Sequence, residues 1–183
     1  IRDSIEAVRN AVGKDFPIEM RISTEECISS DKRLPLDDVI TFIQHAEPYI
    51  DIVNCSRGLD MIREANIHHA ATIFEPHITN LEALRKIRAN TSCLLSVVGS
   101  IMTPEEAESL LEEGSADLIM LGRSTLADPF WPVKAQMGHS EDIVPCIRCL
   151  QCYHVSTDHK NVQCSVNPRF NREKRVPLIL PVT

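Results

Sequence analysis

The sequence predicts an α/β fold built on a parallel sheet, equivalent to half of an eight-stranded barrel. Continuous apolar runs alternate with amphipathic helical patterns, which is typical of parallel strands covered by helices. Four such runs occur, and the chain opens on a helical pattern, the element that normally follows a strand in a barrel. We therefore expect the other half of the barrel to lie upstream or in a partner chain.

The predicted elements are a helix followed by four strand–helix units. Residues 1–12 carry apolar side chains at helical spacing, and Gly13 ends the pattern. A helix opened by Pro35 follows the first strand, another begins at Leu81, and a last one follows Asp128. The predicted strands are 18–23, 49–54, 93–98 and 116–121.

Two further segments have distinct signatures. Thr103, Pro104 and Glu106 predict a capping box with proline at the first helical position, and Gly114 ends that helix. The segment 56–79 is long and irregular. Because it is too long for a simple connection, we interpret it as a functional loop.

Composition disfavours several classes of protein. The 183 residues fit one domain, and 43% hydrophobic residues provide a core. A net charge of -7 without a long basic run argues against nucleic acid or an anionic membrane as partner. No apolar run reaches the roughly 18 residues that span a membrane. The seven cysteines do not suggest a secreted disulfide scaffold, so a reducing, cytoplasmic compartment is expected.

Two strand ends carry a pattern typical of phosphate binding. The third strand finishes in Gly99-Ser100 and the fourth in Gly122-Arg123. Parallel strands bring their C-terminal ends to one face, where glycine lets backbone N–H groups approach an anion and arginine adds a fork of donors. We therefore expect a phosphate site here. Turn glycines and a surface ion pair of Arg123 remain the alternative.

Arg21 ends the first strand on that same face. It could stabilise negative charge on the reactive part of a phosphate-bearing cofactor, or it could bridge to a helix carboxylate. His68 and His69 lie in the segment 56–79. For them a solvated pair is the favoured interpretation.

A set of four cysteines follows the last predicted helix: Cys146, Cys149, Cys152 and Cys164. Three closely spaced cysteines and a distant fourth are typical of a [4Fe–4S] cluster, which moves single electrons. Structural zinc more often takes two C-x2-C pairs or a pair with histidines, and His154 and His159 keep that alternative open. Arg148 would offset part of a cluster's negative charge. A phosphate-anchored cofactor that exchanges both hydride and single electrons is a flavin.

Three stretches resemble the iron–sulfur branch of the old yellow enzyme family: EMRIS, VVGSIMTPEEAESLLEEGSADLIMLGRSTLADP and EDIVPCIRCLQC…CSVNPRFNRE. That branch includes 2,4-dienoyl-CoA reductase and trimethylamine dehydrogenase-like NADH:flavin oxidoreductases. The resemblance covers residues 1–175. It implies the C-terminal half (strands five to eight) of a TIM (β/α)8 barrel, followed by an irregular iron–sulfur-binding segment.

The resemblance also implies roles for individual residues. Arg21 is expected to contact the isoalloxazine ring of FMN. The FMN phosphate is expected to be held by Gly99, Ser100, Gly122 and Arg123. The [4Fe–4S] cluster is expected on Cys146, Cys149, Cys152 and Cys164. The sequence departs from the family at Asn171, where glycine is common.

By the same resemblance the chain divides into three parts. Residues 1–138 would form the half-barrel, 139–175 the cysteine segment, and 176–183 the start of a linker to a further domain. A tyrosine or histidine proton donor is expected upstream of this chain. FAD and NAD(P)H are expected in other domains of the intact enzyme, and a homo-oligomer is compatible with the pattern.

The predicted function is therefore an FMN- and [4Fe–4S]-dependent oxidoreductase acting on a small-molecule substrate. The favoured reaction is NAD(P)H-dependent reduction of an activated C=C bond in an enoyl-CoA or enone. An amine dehydrogenase of the same family, with electrons flowing the other way, is one alternative. A non-catalytic half-barrel that holds zinc or a cluster is another, and a phosphate-binding barrel enzyme without flavin is a third.

Overall fold

The fold was analysed in a computed structural model that describes residues 2–31 and 33–178. Its sheet has four strands in the order β1-β2-β3-β4, and each neighbouring pair is parallel. The strands are β1 Glu19–Ser23, β2 Ile52–Ser56, β3 Leu94–Val97 and β4 Leu118–Ile119. The predicted parallel α/β sheet is confirmed.

Helices connect the strands and follow the last of them. They are α1 Arg2–Val12, α2 Leu36–Ala46, α3 Arg63–His69, α4 Leu81–Arg88, α5 Pro104–Glu112, α6 Arg123–Ala127, α7 Trp131–Gln136 and α8 Gln151–Thr157. Short 3-10 turns occur at Glu47–Tyr49 and Ser140–Asp142. None of the helices in the described part of the chain combines the length and apolar character needed to cross a bilayer.

β1 and β3 differ from their predicted bounds by no more than one residue at either end, whereas the other two strands differ by more. The second strand was predicted at 49–54, but its start was placed too early in the chain. Glu47–Tyr49 forms a 3-10 turn, and β2 begins at Ile52. The fourth strand is shorter than 116–121. Within the described residues β4 pairs with one strand, β3. Leu118 and Ile119 are the residues of β4 that pair with it, so the strand has this length.

Three short helices were not predicted. The segment 56–79 was expected to be irregular, but it contains α3. Helices α6 and α8 are also additional, and the helix expected after Asp128 begins at Trp131. Helices of five to seven residues complete at most two turns, so they leave almost no amphipathic periodicity in the sequence.

Helix α5 begins as its sequence predicts. The Glu106 N–H donates to Thr103 Oγ1 at 3.2 Å, and the Thr103 N–H donates to Glu106 Oε2 at 3.3 Å. Pro104 occupies the first turn, and Gly114 follows the helix with a φ of 69°. The capping box and the terminal glycine are therefore confirmed.

One face of the sheet forms the hydrophobic core. Alternate strand residues on this face have no exposed surface: Val53, Cys55, Leu95 and Val97. They cluster with buried residues of the covering helices α2, α4 and α5, which include Val39, Ile43, Leu84, Ile87 and Leu110. Burial of this apolar surface stabilises the fold at about 25 cal/mol per Å².

The opposite face of the sheet is polar and partly open. The strand register places Arg21, Asn54 and Ser96 side by side on it. Asn54 Nδ2 donates to Ser96 Oγ and to Glu19 Oε1, each at 3.0 Å. Leu94 on this face remains 48% exposed. The helices therefore cover one face, as they do around a barrel.

Asp128 anchors the chain that leads to the cysteine segment. Its carboxylate, 4% exposed, accepts from Lys134 Nζ at 2.5 Å, from the Phe130 N–H at 3.0 Å and from the Val144 N–H at 2.9 Å. Burial acts to raise the pKa of Asp128, but these donors outweigh it and hold the pKa below its usual range.

We expect Asp128→Asn to lower the free energy of unfolding by about 3 kcal/mol at neutral pH, because Lys134 loses its buried counter-charge. The folded-state pKa of Asp128 is the lower one. Its stabilisation is therefore present above the unfolded pKa and is lost as the pH falls below about 4. Urea unfolding of the variant and of the wild type, at neutral pH and below about pH 4, measures the difference in their free energies of unfolding. Asp142→Asn, at an exposed aspartate, is the control. Equal stability of Asp128→Asn and wild type at neutral pH would contradict the expectation.

Candidate functional site

The C-terminal ends of the strands open into a cavity of about 300 Å³, which we call the arginine cavity. The predicted cofactor residues all line it: Arg21, Gly99, Ser100, Gly122 and Arg123. The structure therefore brings together side chains from β1 and from the ends of β3 and β4, as expected for parallel strands.

Three arginines line the arginine cavity, although the chain as a whole is acidic. Its lining includes Arg21, Arg57, Arg123, His68 and His69, and no described lining residue is aspartate or glutamate. The whole chain has a net charge of -7. Arg57 pairs with Glu25 and Glu75, whereas Arg21 and Arg123 form no ion pair among the described residues, and these two guanidinium groups favour an anionic ligand.

Arg123 connects two strand ends across the cavity. Its Nη2 donates to Ser100 Oγ at 3.1 Å, and its Nη1 donates to the Ala71 carbonyl at 2.9 Å. Within the described chain it forms no ion pair with a carboxylate. The alternative of a surface ion pair is thus not what the structure shows, and part of the guanidinium remains available to a ligand.

The two glycines have different structural settings. A side chain at Gly99, whose φ is 150°, would bring its Cβ within 3.0 Å of Asn80 Oδ1 and 3.4 Å of Thr79 Oγ1. The fold itself therefore requires glycine at this position. At Gly122 no atom lies within 4 Å of the place a Cβ would take. The open space over Gly122 is large enough for a ligand to approach the backbone closely.

Arg21 borders the cavity from the polar face of the sheet. Its backbone pairs with β2 in the sheet, but its side chain has no hydrogen-bond or ion-pair partner among the residues that the structure describes. The alternative that Arg21 bridges to a helix carboxylate is therefore not observed. Its guanidinium is free to contact a ligand in the cavity.

The four predicted cysteines line a second, smaller cavity, which we call the cysteine cavity: Cys146, Cys149, Cys152 and Cys164. All four thiols are free. The remaining lining is mostly apolar and includes Leu126, Ile147, Leu150 and Val166. Thiols gathered among apolar side chains suit a soft metal group.

The backbone between the cysteines is tightly turned. Arg148 and Leu150 both have left-handed backbone conformations, with φ values of 50° and 58°. Non-glycine residues adopt this region at a cost of about 1–2 kcal/mol each. The Arg148 N–H donates to Cys146 Sγ at 3.4 Å. Hydrogen bonds to sulfur of this type tune metal-bound thiolates.

The thiol sulfurs in the described chain are not gathered tightly enough to form a ready-made zinc site. Around one zinc ion, with Zn–S distances of about 2.3 Å, thiolate sulfurs lie about 3.8 Å apart. In the described chain no three of these cysteines have their sulfurs within 4.8 Å of one another. His154 and His159 do not line the cavity either. The arrangement is therefore wider than a single zinc ion requires.

The thiols also differ in acidity. A hydrogen bond with Ser165 Oγ, at 3.2 Å, lowers the pKa of Cys149, and Arg123 adds to this effect. Burial raises the pKa of Cys152, and Arg123 offsets part of the rise. The charge of Arg123 thus favours the thiolate form of both residues.

The two cavities are adjacent. Arg123 and Cys146 line both of them. A group bound in one cavity would therefore be separated from a group in the other by little more than these two side chains.

The chain is similar to a known family of proteins over most of its length. Residues 1–142 match the family model of the NADH:flavin oxidoreductase / NADH oxidase family. The chain belongs to this family. Members of the NADH:flavin oxidoreductase family are oxidoreductases, and the predicted membership is confirmed.

Individual members show how far the similarity extends. The NADH oxidase of Thermoanaerobacter brockii is 31% identical, over 92% of this chain and 26% of that protein. A solved 2-naphthoyl-CoA reductase complex gives a TM-score of 0.86 at 25% identity, over 95% of this chain and 26% of that one. The solved histamine dehydrogenase from Rhizobium sp. 4-9 gives a TM-score of 0.84 at 26% identity, over 94% of this chain and 24% of that one.

The chain spans about a quarter of the length of these relatives. The solved structures are TIM-barrel oxidoreductases, and this chain superposes on a part of them. The predicted relationship to a TIM barrel is therefore confirmed for this NADH:flavin oxidoreductase family member.

His68 and His69, for which a solvated pair is the favoured interpretation, both line the arginine cavity; His69 is exposed, and His68 Nδ1 lies 3.0 Å from Glu75 Oε1. Sequence reasoning missed two other residues of this cavity. Arg57 and Tyr153 line it as well. Arg57 directly follows β2, so the strand-end rule used elsewhere would have found it. No sequence signal points to Tyr153.

Proposed function

We propose that the arginine cavity holds FMN. The end of β3 (Gly99, Ser100) and the end of β4 (Gly122, Arg123) provide backbone donors and a guanidinium for the phosphate. Arg21, which has no partner among the described residues, would face the flavin ring and stabilise negative charge on it when reduced. FMN, when bound, supplies hydride and single-electron transfer.

The cysteine cavity is proposed to hold a [4Fe–4S] cluster. Four free thiols, apolar walls and sulfurs spread more widely than one zinc ion needs all support this assignment. The cluster, when bound, supplies single-electron transfer. Arg123 and the Arg148 N–H would stabilise its thiolate ligands.

The observation that carries the proposal is the shared boundary of the two cavities. Arg123 and Cys146 belong to both linings, so one arginine would contact the flavin site and one cysteine would link it to the cluster site. FMN and a cluster bound in these cavities would lie on either side of these two side chains, an arrangement that would suit electron transfer between them. The cysteine segment would therefore serve as an electron port for the flavin.

For the intact enzyme we propose NAD(P)H-dependent reduction of an activated C=C bond, as in an enoyl-CoA or enone. The names of two relatives, an NADH oxidase and a 2-naphthoyl-CoA reductase, support this direction. Amine oxidation, as the name histamine dehydrogenase implies for that relative, is the second candidate.

The proposal assigns 1–138 to the half-barrel and 139–175 to the cluster segment. The segment 176–183 would begin a linker, although 179–183 lie outside the described residues. The first half of the barrel and the proton donor would be supplied upstream or by a partner chain. Sites for FAD and NAD(P)H would lie in other domains, since the relatives are about four times longer.

Cofactor analysis tests this proposal. The chain is purified anaerobically, reconstituted with iron, sulfide and FMN, desalted, and assayed for each component and for zinc. We expect about four irons and four sulfides per chain, together with FMN. One zinc per chain and no iron after the same treatment would contradict the proposal and favour a zinc-holding, non-catalytic module.

A further inference from the structure

The segment 57–80, between β2 and α4, forms one wall of the arginine cavity. It contains α3 and contributes His68 and His69 to the lining. Two of its large apolar side chains are almost fully exposed, Met61 at 98% and Phe74 at 95%. Parts of the segment that bury so little apolar surface have low local stability, so polar contacts contribute to holding them in place.

Tyr153 holds the beginning of this wall. Its hydroxyl donates to the Asp60 carboxylate and accepts from Asn66 Nδ2 at 2.6 Å. Asn66 Nδ2 also lies 2.7 Å from the Asp60 carbonyl oxygen, which closes a small network at the start of α3. Tyr153 directly follows Cys152 in the sequence and also lines the arginine cavity.

Arg148 holds the end of the wall. Its Nη1 donates to the Glu75 carbonyl at 2.7 Å and the Pro76 carbonyl at 3.3 Å, and its Nη2 donates to the Ile73 carbonyl at 3.4 Å. Arg148 directly precedes Cys149. Its guanidinium is therefore used to hold the backbone of 73–76, a role that the charge argument from sequence did not anticipate.

We propose that Tyr153 and Arg148 are positioning residues that couple the cysteine cavity to the wall of the arginine cavity. Each is adjacent to a cysteine, so a metal group on the cysteines fixes its backbone, and each then holds one part of 57–80. Loss of the metal group releases both contacts and loosens the wall that carries His68 and His69. The inference rests on the proposed function, because it takes the cysteines to bind a metal group.

Hydrogen exchange followed by mass spectrometry tests the contact itself. Tyr153→Phe keeps the ring and removes the hydroxyl. In the reconstituted chain we expect peptides from 57–80 to exchange about tenfold faster, with unchanged iron content. The chain has one other tyrosine, Tyr49, which lines neither cavity. Its hydroxyl oxygen accepts a hydrogen bond from Arg2 Nη2 at 3.2 Å. Tyr49→Phe is therefore the matched control, and it should leave 57–80 unchanged.

A second comparison separates coupling from a merely structural role. In the wild-type chain, anaerobic removal of the metal by a chelator should raise exchange in 57–80. In a Tyr153→Phe/Arg148→Lys variant, removal of the metal should raise hydrogen exchange in 57–80 only slightly further, because both contacts are already lost. Arg148→Lys keeps the charge near the cysteines while it removes the fork of donors.

The outcomes distinguish the two hypotheses. A wild-type chain that binds neither iron nor FMN contradicts the proposed function. A chain that binds both, but in which 57–80 stays fully protected in the double variant and after metal removal, contradicts the positioning role alone. Loss of iron from Tyr153→Phe also contradicts the positioning role, since the hydroxyl would then be needed for metal binding.

Discussion

The Cys146→Ser chain is expected to lose most of its iron, with the iron content falling at least tenfold after reconstitution. A serine oxygen is a hard, weakly acidic ligand and replaces a soft thiolate poorly. Cys146 lines both cavities, so its loss would also remove the link between them. Iron and sulfide assays together with the visible spectrum of the reduced and oxidised chain measure the effect.

Cys27→Ser is the matched control for this experiment. Cys27 is a free thiol outside both cavities, and its Sγ lies 3.7 Å from the Glu25 carbonyl oxygen. The Cys27→Ser chain should therefore keep its full iron content. Serine at Cys149, Cys152 or Cys164 should reproduce the loss if all four thiols ligate the cluster. A Cys146→Ser chain that retains all of its iron would sink the assignment.

The second large effect is expected at the phosphate site. Arg123→Ala should weaken FMN binding about 100-fold, because charge-assisted hydrogen bonds to a phosphate dianion are lost from a partly buried position. Quenching of flavin fluorescence during titration of the flavin-free chain gives the dissociation constant. Arg85→Ala removes an arginine that pairs with Glu113 away from both cavities, and it should leave binding unchanged.

Riboflavin sharpens the test, since it has the same ring system as FMN and no phosphate. If Arg123 binds the phosphate, Arg123→Ala should lower the affinity for FMN and have little effect on the affinity for riboflavin. An equal loss for both ligands would mean that Arg123 supports the ring or the fold, and the phosphate assignment would be wrong.

Much of the site follows from local sequence patterns. The pairs Gly99-Ser100 and Gly122-Arg123 end apolar strands, so the direction of parallel strands alone brings them to one face. The capping box of α5 depends on residues three apart. The spacing of the cysteines likewise predicts that they share a pocket, and they do.

Other features depend on contacts between distant parts of the chain. Tyr153 meets Asp60 across 93 positions, and Arg148 meets Glu75 across 73. Neither pair has a local pattern that would reveal it. The short helix α3 is similarly hidden, because seven residues give too few turns for periodicity. The contacts that are proposed to couple the two cavities are therefore found in the structure and not in the sequence patterns.

The central claim is that an iron–sulfur cluster and FMN occupy adjacent cavities of this chain. A redox titration of the cluster, followed by electron paramagnetic resonance in the presence and absence of FMN, tests it most directly. The phosphate dianion and the flavin would add negative charge next to the cluster. We therefore predict an iron–sulfur signal whose midpoint potential falls by roughly 50 mV when FMN binds. No iron–sulfur signal, or a midpoint potential that bound FMN leaves unchanged, would contradict the account.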